Sequence, residues 1–357
     1  MAGYLLKEAG HEVIGATLRL APDDSNSLIQ RQGRCCSADD MTDARQVCEL
    51  LDIPFYAIDS RSRFKEKVFD PFIQAYRNGQ TPIPCLACNH DIKFGDLYAT
   101  SRQLGASLAT GHYARIVNYG AGRAIARPHD ADRDQSYYLH GISAEVLQNL
   151  EFPLGDFDKP FIRALAEKIG LKISRKPDSQ EICFVPDGNH AKIIEKHSGP
   201  MNAGNLVHIN GKKVASHEGI HSFTVGQRRG IGVGIGERAY VVDIDPVNDQ
   251  VTLGPKSALQ CQTIEANQLK IQVALEHWPK TVLVQIRARA KPTQALWSRQ
   301  GDKIVFSFNE SVEAVALGQS AVAYDGHVLL GGGVISGRLD GAVPRLAVEK
   351  AILEVSP

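Results

Sequence analysis

Several features that would assign a protein to a specialised class are missing from this sequence. It has no apolar run long enough to cross a membrane, and no charged, apolar and small-residue succession at its start that would direct secretion. Lys plus Arg and Asp plus Glu both number 40, so a protein that coats nucleic acid through bulk charge is not expected. This overall charge balance does not exclude a local basic face. We find no internal repeat, low-complexity stretch or coiled coil. The missing secretion signal, together with the odd number of cysteines described next, predicts a cytoplasmic protein.

A disulfide framework is not indicated either. The seven cysteines are odd in number and lie in a chain of 357 residues without a secretion signal. One C-x-x-C is present, Cys85 to Cys88, and the second pair that a zinc ribbon needs is absent. Pro82 and Pro84 predict that this C-x-x-C lies in an extended loop. Redox exchange, metal binding and a structural role are all consistent with this C-x-x-C. For Cys183, the neighbouring residues taken alone favour a buried core cysteine.

The first half of the sequence alternates helices with short apolar strands. Helices are predicted at residues 1–10, Asp39–Leu51, Phe64–Asn78 and Ile92–Leu104, and strands at His11–Leu18, Pro54–Asp59 and Ser107–Thr110. This alternation predicts an α/β doubly wound parallel sheet. Ligands of such sheets bind beyond the carboxyl ends of the strands, where Thr110, Gly111 and His112 lie. A nucleotide-binding sheet of this kind normally begins with a strand and a glycine-rich turn, whereas this sequence begins with a helix.

The second half is rich in short strands and turns. A hairpin is predicted around Asn210-Gly211, and a second around Asp325-Gly326. Between them, Ser222–Gly236 is rich in glycine and arginine. We therefore predict three domains: an α/β domain at residues 1–190 of the kind that binds nucleotides, a small central linking domain at 191–260, and a C-terminal β-barrel at 261–345.

Polar and basic residues suggest contacts with a nucleic acid, each with a structural alternative. His112 suits a phosphate contact or a histidine that caps a strand end. The segment from Arg133 to Tyr138 suits an unpaired base, or the start of a helix. Five basic residues suit phosphates or a solvated face. They are Arg228, Arg229, Arg287, Arg289 and Lys291.

Taken in order, the motifs closely resemble those of one family, the bacterial-type tRNA-specific 2-thiouridylases (MnmA/TrmU). The matching stretches follow the family's order along nearly the whole chain. They are Thr81–Phe94 (TPIPCLACNHDIKF), Ala109–Arg115 (ATGHYAR), Asp134–Leu139 (DQSYYL), Phe152–Gly155 (FPLG), Asp178–Phe184 (DSQEICF), Gly226–Gly234 (GQRRGIGVG), Gly318–Val322 and Gly331–Ile335. The T-P-x-P-x-x-x-C-N and D-S-x-x-I-C-F elements are the most specific.

The resemblance implies an enzyme that uses ATP and Mg²⁺ to adenylate the C2 oxygen of a wobble uridine, after which a cysteine persulfide attacks C2. It implies tRNAs of the Glu, Gln or Lys type as partners, and a cysteine desulfurase or a sulfur-relay protein as donor. The implied roles follow the family's motifs. Cys183 matches the persulfide cysteine, and Cys88 matches its partner, which forms a disulfide or holds a cluster. Leu18 and Gly111 match ATP contacts, and Ile83, Pro84 and Cys85 match target-base contacts. The residues that match tRNA contacts are His112, Arg133, Asp134, Gln135, Arg287, Ala288 and Gln319, of which the last three lie in the predicted barrel.

The sequence departs from the family pattern at two places. Cys85 stands where the best-known version of the loop has Asp, which raises the expectation of an iron–sulfur cluster on Cys85, Cys88 and Cys183. The pyrophosphate loop S-G-G-V-D-S-S and the strand before it do not occur, so adenylation is expected to be nearly abolished. A start codon placed too late, or a fragment, is the simplest expectation. The alternatives are a non-catalytic tRNA-binding or sulfur-carrying remnant and, less well supported by the tRNA-like tail, a C-x-x-C redox protein.

Overall fold

The computed structural model of this protein describes residues 1–20, 38–171, 182–185, 188–234, 238–343 and 345–346. Cys35 and Cys36 lie outside these ranges. Within them, no helix has both the length and the apolar character that a membrane span requires. Three regions follow one another along the chain: an α/β region, a small β-rich central region and a β-barrel.

The chain begins with helix α1 (Ala2–Glu8) and strand β1 (Gly15–Arg19), followed by helix α2 (Ala38–Leu50) and strand β2 (Phe55–Asp59). β1 and β2 pair in parallel. β1 begins later than predicted, because Gly10 adopts a left-handed conformation (φ +87°) after the helix and residues 11–14 connect it to the strand.

Two long helices carry the apolar core of this region, and each consists of three consecutive segments. Helix α3 comprises Arg61–Phe64, Lys65–Phe69 and Asp70–Arg77, and helix α4 comprises Pro84–Ala87, Cys88–Leu97 and Tyr98–Gln103. The predicted extended loop around Cys85 and Cys88 is wrong. Pro84 occupies the first helical turn, where a missing N–H costs no hydrogen bond and the fixed φ favours the helix.

The rest of the α/β region combines a second parallel pair with an antiparallel hairpin. Its elements are β3 (Leu108–Ala109), β4 (Arg115–Tyr119), β5 (Gly122–Ala126), α5 (Ala144–Leu147), β6 (Leu150–Glu151), α6 (Lys159–Lys168) and α7 (His190–Ser198). Short 3₁₀ helices at Ala131–Arg133 and Ser136–Leu139 precede α5. β3 pairs in parallel with β6, so the described parallel strands of the α/β region form two separate pairs.

The central region is a four-stranded sheet with its own apolar cluster. Its strands are β7 (Gly204–His208), β8 (Lys213–His217), β9 (Tyr240–Asp245) and β10 (Gln250–Gly254), in the order β8-β7-β10-β9. β7 and β8 form the predicted hairpin, with Gly211 at positive φ in the turn. Two 3₁₀ helices, Ile220–Ser222 and Lys256–Leu259, flank β9 and β10 in sequence.

The barrel consists of six antiparallel strands. They are β11 (Gln260–Ile271), β12 (Thr281–Gln285), β13 (Thr293–Gln300), β14 (Lys303–Glu313), β15 (Ser320–Asp325) and β16 (Val328–Arg338), with a 3₁₀ helix at Leu275–His277. β11 pairs with both β14 and β16, and this double pairing closes the barrel. A short strand, β17 (Arg345–Leu346), pairs with β16. Ala126 of β5 also pairs with Val328 of β16, so the β4–β5 hairpin extends the barrel sheet. The predicted succession of an α/β domain, a linking domain and a β-barrel is confirmed.

Candidate functional site

The two cysteines with predicted catalytic roles lie against one apolar cluster. Cys88 belongs to the buried core of this cluster and is 9% exposed, and Cys183 packs against it while staying half-buried. Leu18, near the end of β1, is buried in the same cluster. The fold thus places a strand end next to two thiols that are far apart in sequence.

An aromatic anchor holds the segment that carries Cys183. Phe184 is 2% exposed, and its ring makes edge contacts with three phenylalanines of α3 at centroid distances of 5.0–5.8 Å. A tight turn follows, in which the Val185 amide donates to the Ile182 carbonyl at 2.9 Å. Because Phe184 is buried in the core, its neighbour Cys183 is held half-buried at the rim of the cluster.

The segment with predicted target-base contacts forms the start of α4. Pro84 is buried, Ile83 packs against a second apolar cluster, and Cys85 is exposed. Tyr138 lies nearby: burial raises the pKa of Tyr138, the Cys85 thiol adds to this rise, and Arg289 opposes it. Three parts of the chain therefore lie near Tyr138, namely its own 3₁₀ helix at Ser136–Leu139, the start of α4 and a barrel loop.

Asn89 joins two of these parts. Its side-chain amide donates to the Tyr138 carbonyl at 3.0 Å, and the residue is 4% exposed. Its Oδ1 atom is buried without a hydrogen-bond partner. Asn89 follows Cys88 directly, so this hydrogen bond fixes the C-x-x-C helix against the aromatic segment.

Gly111 and His112 follow β3, as the sequence predicts. Gly111 is exposed, and a Cβ atom there would lie 3.5 Å from Leu154. His112 is half-buried and contacts the rings of Phe94 and Phe152. Its Nδ1 atom lies 2.7 Å from the Thr110 hydroxyl. Burial, with a smaller contribution from Lys93, lowers the pKa of His112 to about 3. The ring is therefore neutral at physiological pH, so its contact with a phosphate would be a hydrogen bond rather than an ion pair.

Asp134 and Gln135, which the sequence predicts to contact tRNA, form hydrogen bonds within the protein. Asp134 pairs with Arg127 and accepts a hydrogen bond from the Ser136 amide at 2.8 Å. Gln135 accepts from the Tyr113 amide at 2.8 Å. Their neighbour Arg133 ends a 3₁₀ helix and lines a cavity of about 660 Å³. The cavity is bounded by Asp130, Asp132, Lys159 and Arg163 among others, so its wall has mixed charge.

The predicted tRNA contacts in the barrel lie where the barrel meets the other two regions. Arg287 donates to the Val225 carbonyl at 2.6 Å, and burial lowers its pKa. Ala288 packs against the second apolar cluster. Gln319 donates to the Thr81 carbonyl at 2.8 Å. Because Arg287 ties residues 287–291 to residues 225–229, two basic loops lie together. Their exposed side chains are Arg228, Arg229, Arg289 and Lys291.

The residues described here do not fit an iron–sulfur cluster. Among them, no three His, Cys, Asp or Glu side chains are arranged so that they could hold a metal ion. Cys85 is exposed, whereas Cys88 is buried. The predicted ligand set of Cys85, Cys88 and Cys183 is therefore not assembled in this structure.

The structure brings together residues that no motif had identified. Arg127 lies 4.0 Å over the Tyr324 ring, and Gln285 accepts one of its hydrogen bonds at 2.9 Å. No local sequence signal marks these residues, since each partner lies in another domain.

Comparison with known families covers nearly the whole chain. Residues 1–187 match the model described as tRNA methyl transferase HUP domain. Residues 191–255 match the tRNA methyl transferase PRC-barrel domain, and residues 261–335 match the aminomethyltransferase beta-barrel domain. These ranges follow the three regions of the fold.

Three curated relatives share the name tRNA-specific 2-thiouridylase MnmA. The protein of Bartonella bacilliformis is 44% identical over 347 residues, which cover 93% of this chain and 87% of the relative. That of Parvibaculum lavamentivorans is 42% identical, with coverage of 93% and 86%. That of Rickettsia felis is 43% identical, with coverage of 93% and 92%.

Proposed function

Since this chain belongs to the MnmA/TrmU family of tRNA-specific 2-thiouridylases, we propose that it replaces the C2 oxygen of a tRNA wobble uridine with sulfur carried by Cys183. It is a tRNA sulfurtransferase. The observation that carries the proposed chemistry is the shared cluster of Cys88 and Cys183. Two thiols at one site can pass a sulfur atom on and then close as a disulfide.

ATP is the co-substrate that the HUP domain implies. In the proposed first step the uridine O2 attacks the α-phosphate of ATP, pyrophosphate leaves, and O2 becomes part of a good leaving group. Leu18 and Gly111 lie at strand ends, where such sheets bind ligands. The Leu18 side chain is buried, so its part would be a backbone contact. Mg²⁺ would accompany the phosphates of ATP.

Sulfur reaches Cys183 from a persulfide donor, which is a cysteine desulfurase or a relay protein. The Cys183 thiolate attacks the donor's terminal sulfur, and the donor thiolate leaves. The terminal sulfur of the new persulfide then attacks C2, and AMP departs with the former O2. Finally the Cys88 thiolate attacks Sγ of Cys183, so that a Cys88–Cys183 disulfide forms and the sulfur remains on C2. An external dithiol reduces the disulfide.

The target uridine must leave its stack to reach these thiols. The segment Ile83 to Cys85 would meet the base, with Tyr138 and Arg289 beside it. An aromatic ring and a guanidinium both suit an extruded base next to its phosphate. The exposed arginines of residues 225–229 and 287–291 would hold the tRNA backbone. We propose tRNAs of the Glu, Gln or Lys type as substrates.

The sulfur steps can be tested without ATP. Cys183→Ser, Cys88→Ser and the control Cys48→Ala are incubated with a ³⁵S-persulfide donor, and protein-bound label and disulfide are measured. We expect no label on Cys183→Ser, and stable label without an internal disulfide on Cys88→Ser. Cys48→Ala should behave as the parent chain, because Cys48 is buried under β1 away from this cluster. Full labelling of Cys183→Ser would refute the assigned persulfide carrier.

The complete reaction is tested with ATP, Mg²⁺, donor and a wobble-uridine tRNA. The chain is assayed by itself and as a fusion behind a strand and a loop that carry the family's phosphate-binding motif S-G-G-V-D-S-S, because that motif does not occur in this chain. Thiolation by the fusion alone assigns ATP activation to that loop. Thiolation by both shows that the loop is dispensable. If neither thiolates while tRNA binds, a non-catalytic tRNA-binding function replaces the one proposed.

A further inference from the structure

We propose that Gln319 is a positioning residue, through which the barrel fixes the loop that leads to the target-base segment. This inference rests on the proposed function. Gln319 belongs to the turn Leu317–Gln319, which precedes β15. Thr81 belongs to the loop between α3 and α4, four residues before Cys85.

The barrel holds both backbone groups of Thr81. Its amide donates to the Leu317 carbonyl at 2.8 Å, and its carbonyl accepts from Nε2 of Gln319 at 2.8 Å. Two hydrogen bonds on opposite sides of one residue fix both its position and its orientation. One N–H of the Gln319 side-chain amide is therefore engaged within the protein.

The turn that supplies these bonds is itself rigid. Gly318 donates to the Ile335 carbonyl at 3.0 Å, and the Ile335 amide donates to the Gln319 carbonyl at 2.7 Å. Gly318 has a φ of +89°, and a Cβ atom there would lie 3.0 Å from Cβ of Gln80 and 3.1 Å from the Thr81 nitrogen. A side chain at position 318 would therefore press on this loop, and the positive φ favours glycine there.

The central region supports the other end of the loop. Gly79 has a φ of +67°, and a Cβ atom there would lie 2.9 Å from Cγ2 of Ile244 in β9. Residues 79–81 are therefore packed closely between the central region and the barrel. Pro82 and Pro84 stiffen the short connection from Thr81 to Cys85. A displacement of Thr81 is consequently passed on to the start of α4 rather than absorbed.

This role differs from the direct tRNA contact that the sequence predicts for Gln319. A tRNA contact contributes to binding, so its loss raises the Kd or KM for tRNA. A positioning residue contributes to the alignment of the reacting groups, so its loss lowers the rate of the bound complex. Misalignment by about 1 Å can reduce a rate roughly 100-fold.

The test uses Gln319→Met, which keeps the side-chain length but cannot donate, and Gly318→Ala, which pushes on Thr81 without changing Gln319. The control is Gln300→Met at an exposed position of β13. Hydrogen exchange of residues 80–86, the Kd for tRNA and the single-turnover thiolation rate are measured on each. We expect faster exchange and a rate reduced roughly 10- to 100-fold in both variants, with the Kd changed by less than about twofold. The control should match the parent chain.

Two outcomes would overturn the proposal. A raised Kd with an unchanged rate would make Gln319 a tRNA contact, and unchanged exchange of residues 80–86 would show that the loop does not depend on the barrel. If no version of the chain thiolates tRNA, the proposed function fails. The exchange data then decide about the positioning by themselves, because they require neither ATP nor tRNA.

Discussion

Among single residues, His140 sets a limit on the stability of this protein in acid. It is 1% exposed, and its Nδ1 lies 2.9 Å from the Tyr137 carbonyl. Burial lowers its pKa to about 4. Between pH 6.5 and 4, the His140 imidazole of the unfolded chain is therefore protonated, whereas that of the folded protein stays neutral. The free energy of unfolding is unaffected by this group above pH 6.5 and decreases as the pH falls through that window.

We expect acidification from pH 6.5 to 4 to remove on the order of 3 kcal/mol of stability through His140 alone. In His140→Gln, which does not titrate, the slope of stability against pH in this window should be correspondingly smaller. Denaturant unfolding at several pH values measures it. The matched control is His327→Gln, which removes an exposed imidazole outside this core. An equal slope in His140→Gln and the parent chain would contradict the expectation.

Residue identity alone predicted part of the candidate site. Cys88, Cys183 and Leu18 were assigned from motifs, and the fold places them around one cluster. Asp134 and Gln135 were also assigned from motifs as tRNA contacts, and their hydrogen bonds lie within the protein. A sequence shows that a polar residue belongs to a pattern. It does not show whether the partner is RNA or a distant strand.

At the scale of elements, the two basic loops are the clearest candidate surface for the tRNA backbone. Arg287 joins them through the Val225 carbonyl. Gln227 shapes the first loop, since its side chain accepts from the Thr224 amide at 2.9 Å and donates to the Arg229 carbonyl at 3.1 Å. Loops held in this way keep their cationic side chains on the surface in a fixed arrangement.

We predict that replacing Arg228 and Arg229 together with Ala weakens tRNA binding and reduces the slope of log K against log salt by roughly 1.5, because each phosphate contact contributes about 0.7–0.9 to that slope. Filter binding at several salt concentrations measures both quantities. The control replaces Lys212 and Lys213, exposed at the β7–β8 turn, and should retain the parent slope. If the two double variants lose the same slope, the attraction comes from diffuse charge rather than from these loops.

Element boundaries were predictable where chain chemistry is local. The β7–β8 hairpin turns at Asn210-Gly211 as its sequence indicates. The start of α4 was missed, because a proline was taken to keep the chain extended when it opens a helix instead. The β4–β5 hairpin was missed as well. Its strands are short, and their place is set by the barrel edge at Val328.

For the molecule as a whole, the junction between the α/β region and the barrel is a packed and hydrogen-bonded interface. Tyr137 and Tyr324 are buried in the same apolar cluster. Arg127 pairs with Asp134, lies over the Tyr324 ring and donates to Gln285. The Arg127 and Asp134 side chains are only 24% and 12% exposed, so neither is fully hydrated.

Arg127→Met should lower the free energy of unfolding by about 2–4 kcal/mol, because it leaves Asp134 partly buried without its cation and removes the ring contact. Thermal and denaturant unfolding measure the loss. Arg102→Met, at an exposed position on α4, is the control and should change stability by less than about 0.5 kcal/mol. Equal effects of the two substitutions would show that the junction does not depend on Arg127.

The whole-molecule architecture was predictable as a succession of domain types, but not as an assembly. Alternating helices and strands, followed by short strands and turns, predict the α/β region and the barrel. The closure of the barrel through β11 and its joining by β5 depend on pairings between distant segments. Local patterns contain no information on such pairings.

The hydrogen bond between Thr81 and Gln319 joins residues 238 positions apart. A ribosome must therefore make most of the barrel before the loop ahead of Cys85 can be held. Domains generally fold in the order of their synthesis, so the nascent α/β region forms first and waits for this contact. A chain that ends before residues 317–319 lacks both hydrogen bonds that hold Thr81. The loop ahead of Cys85 can therefore take the position described here only after that turn has been synthesised.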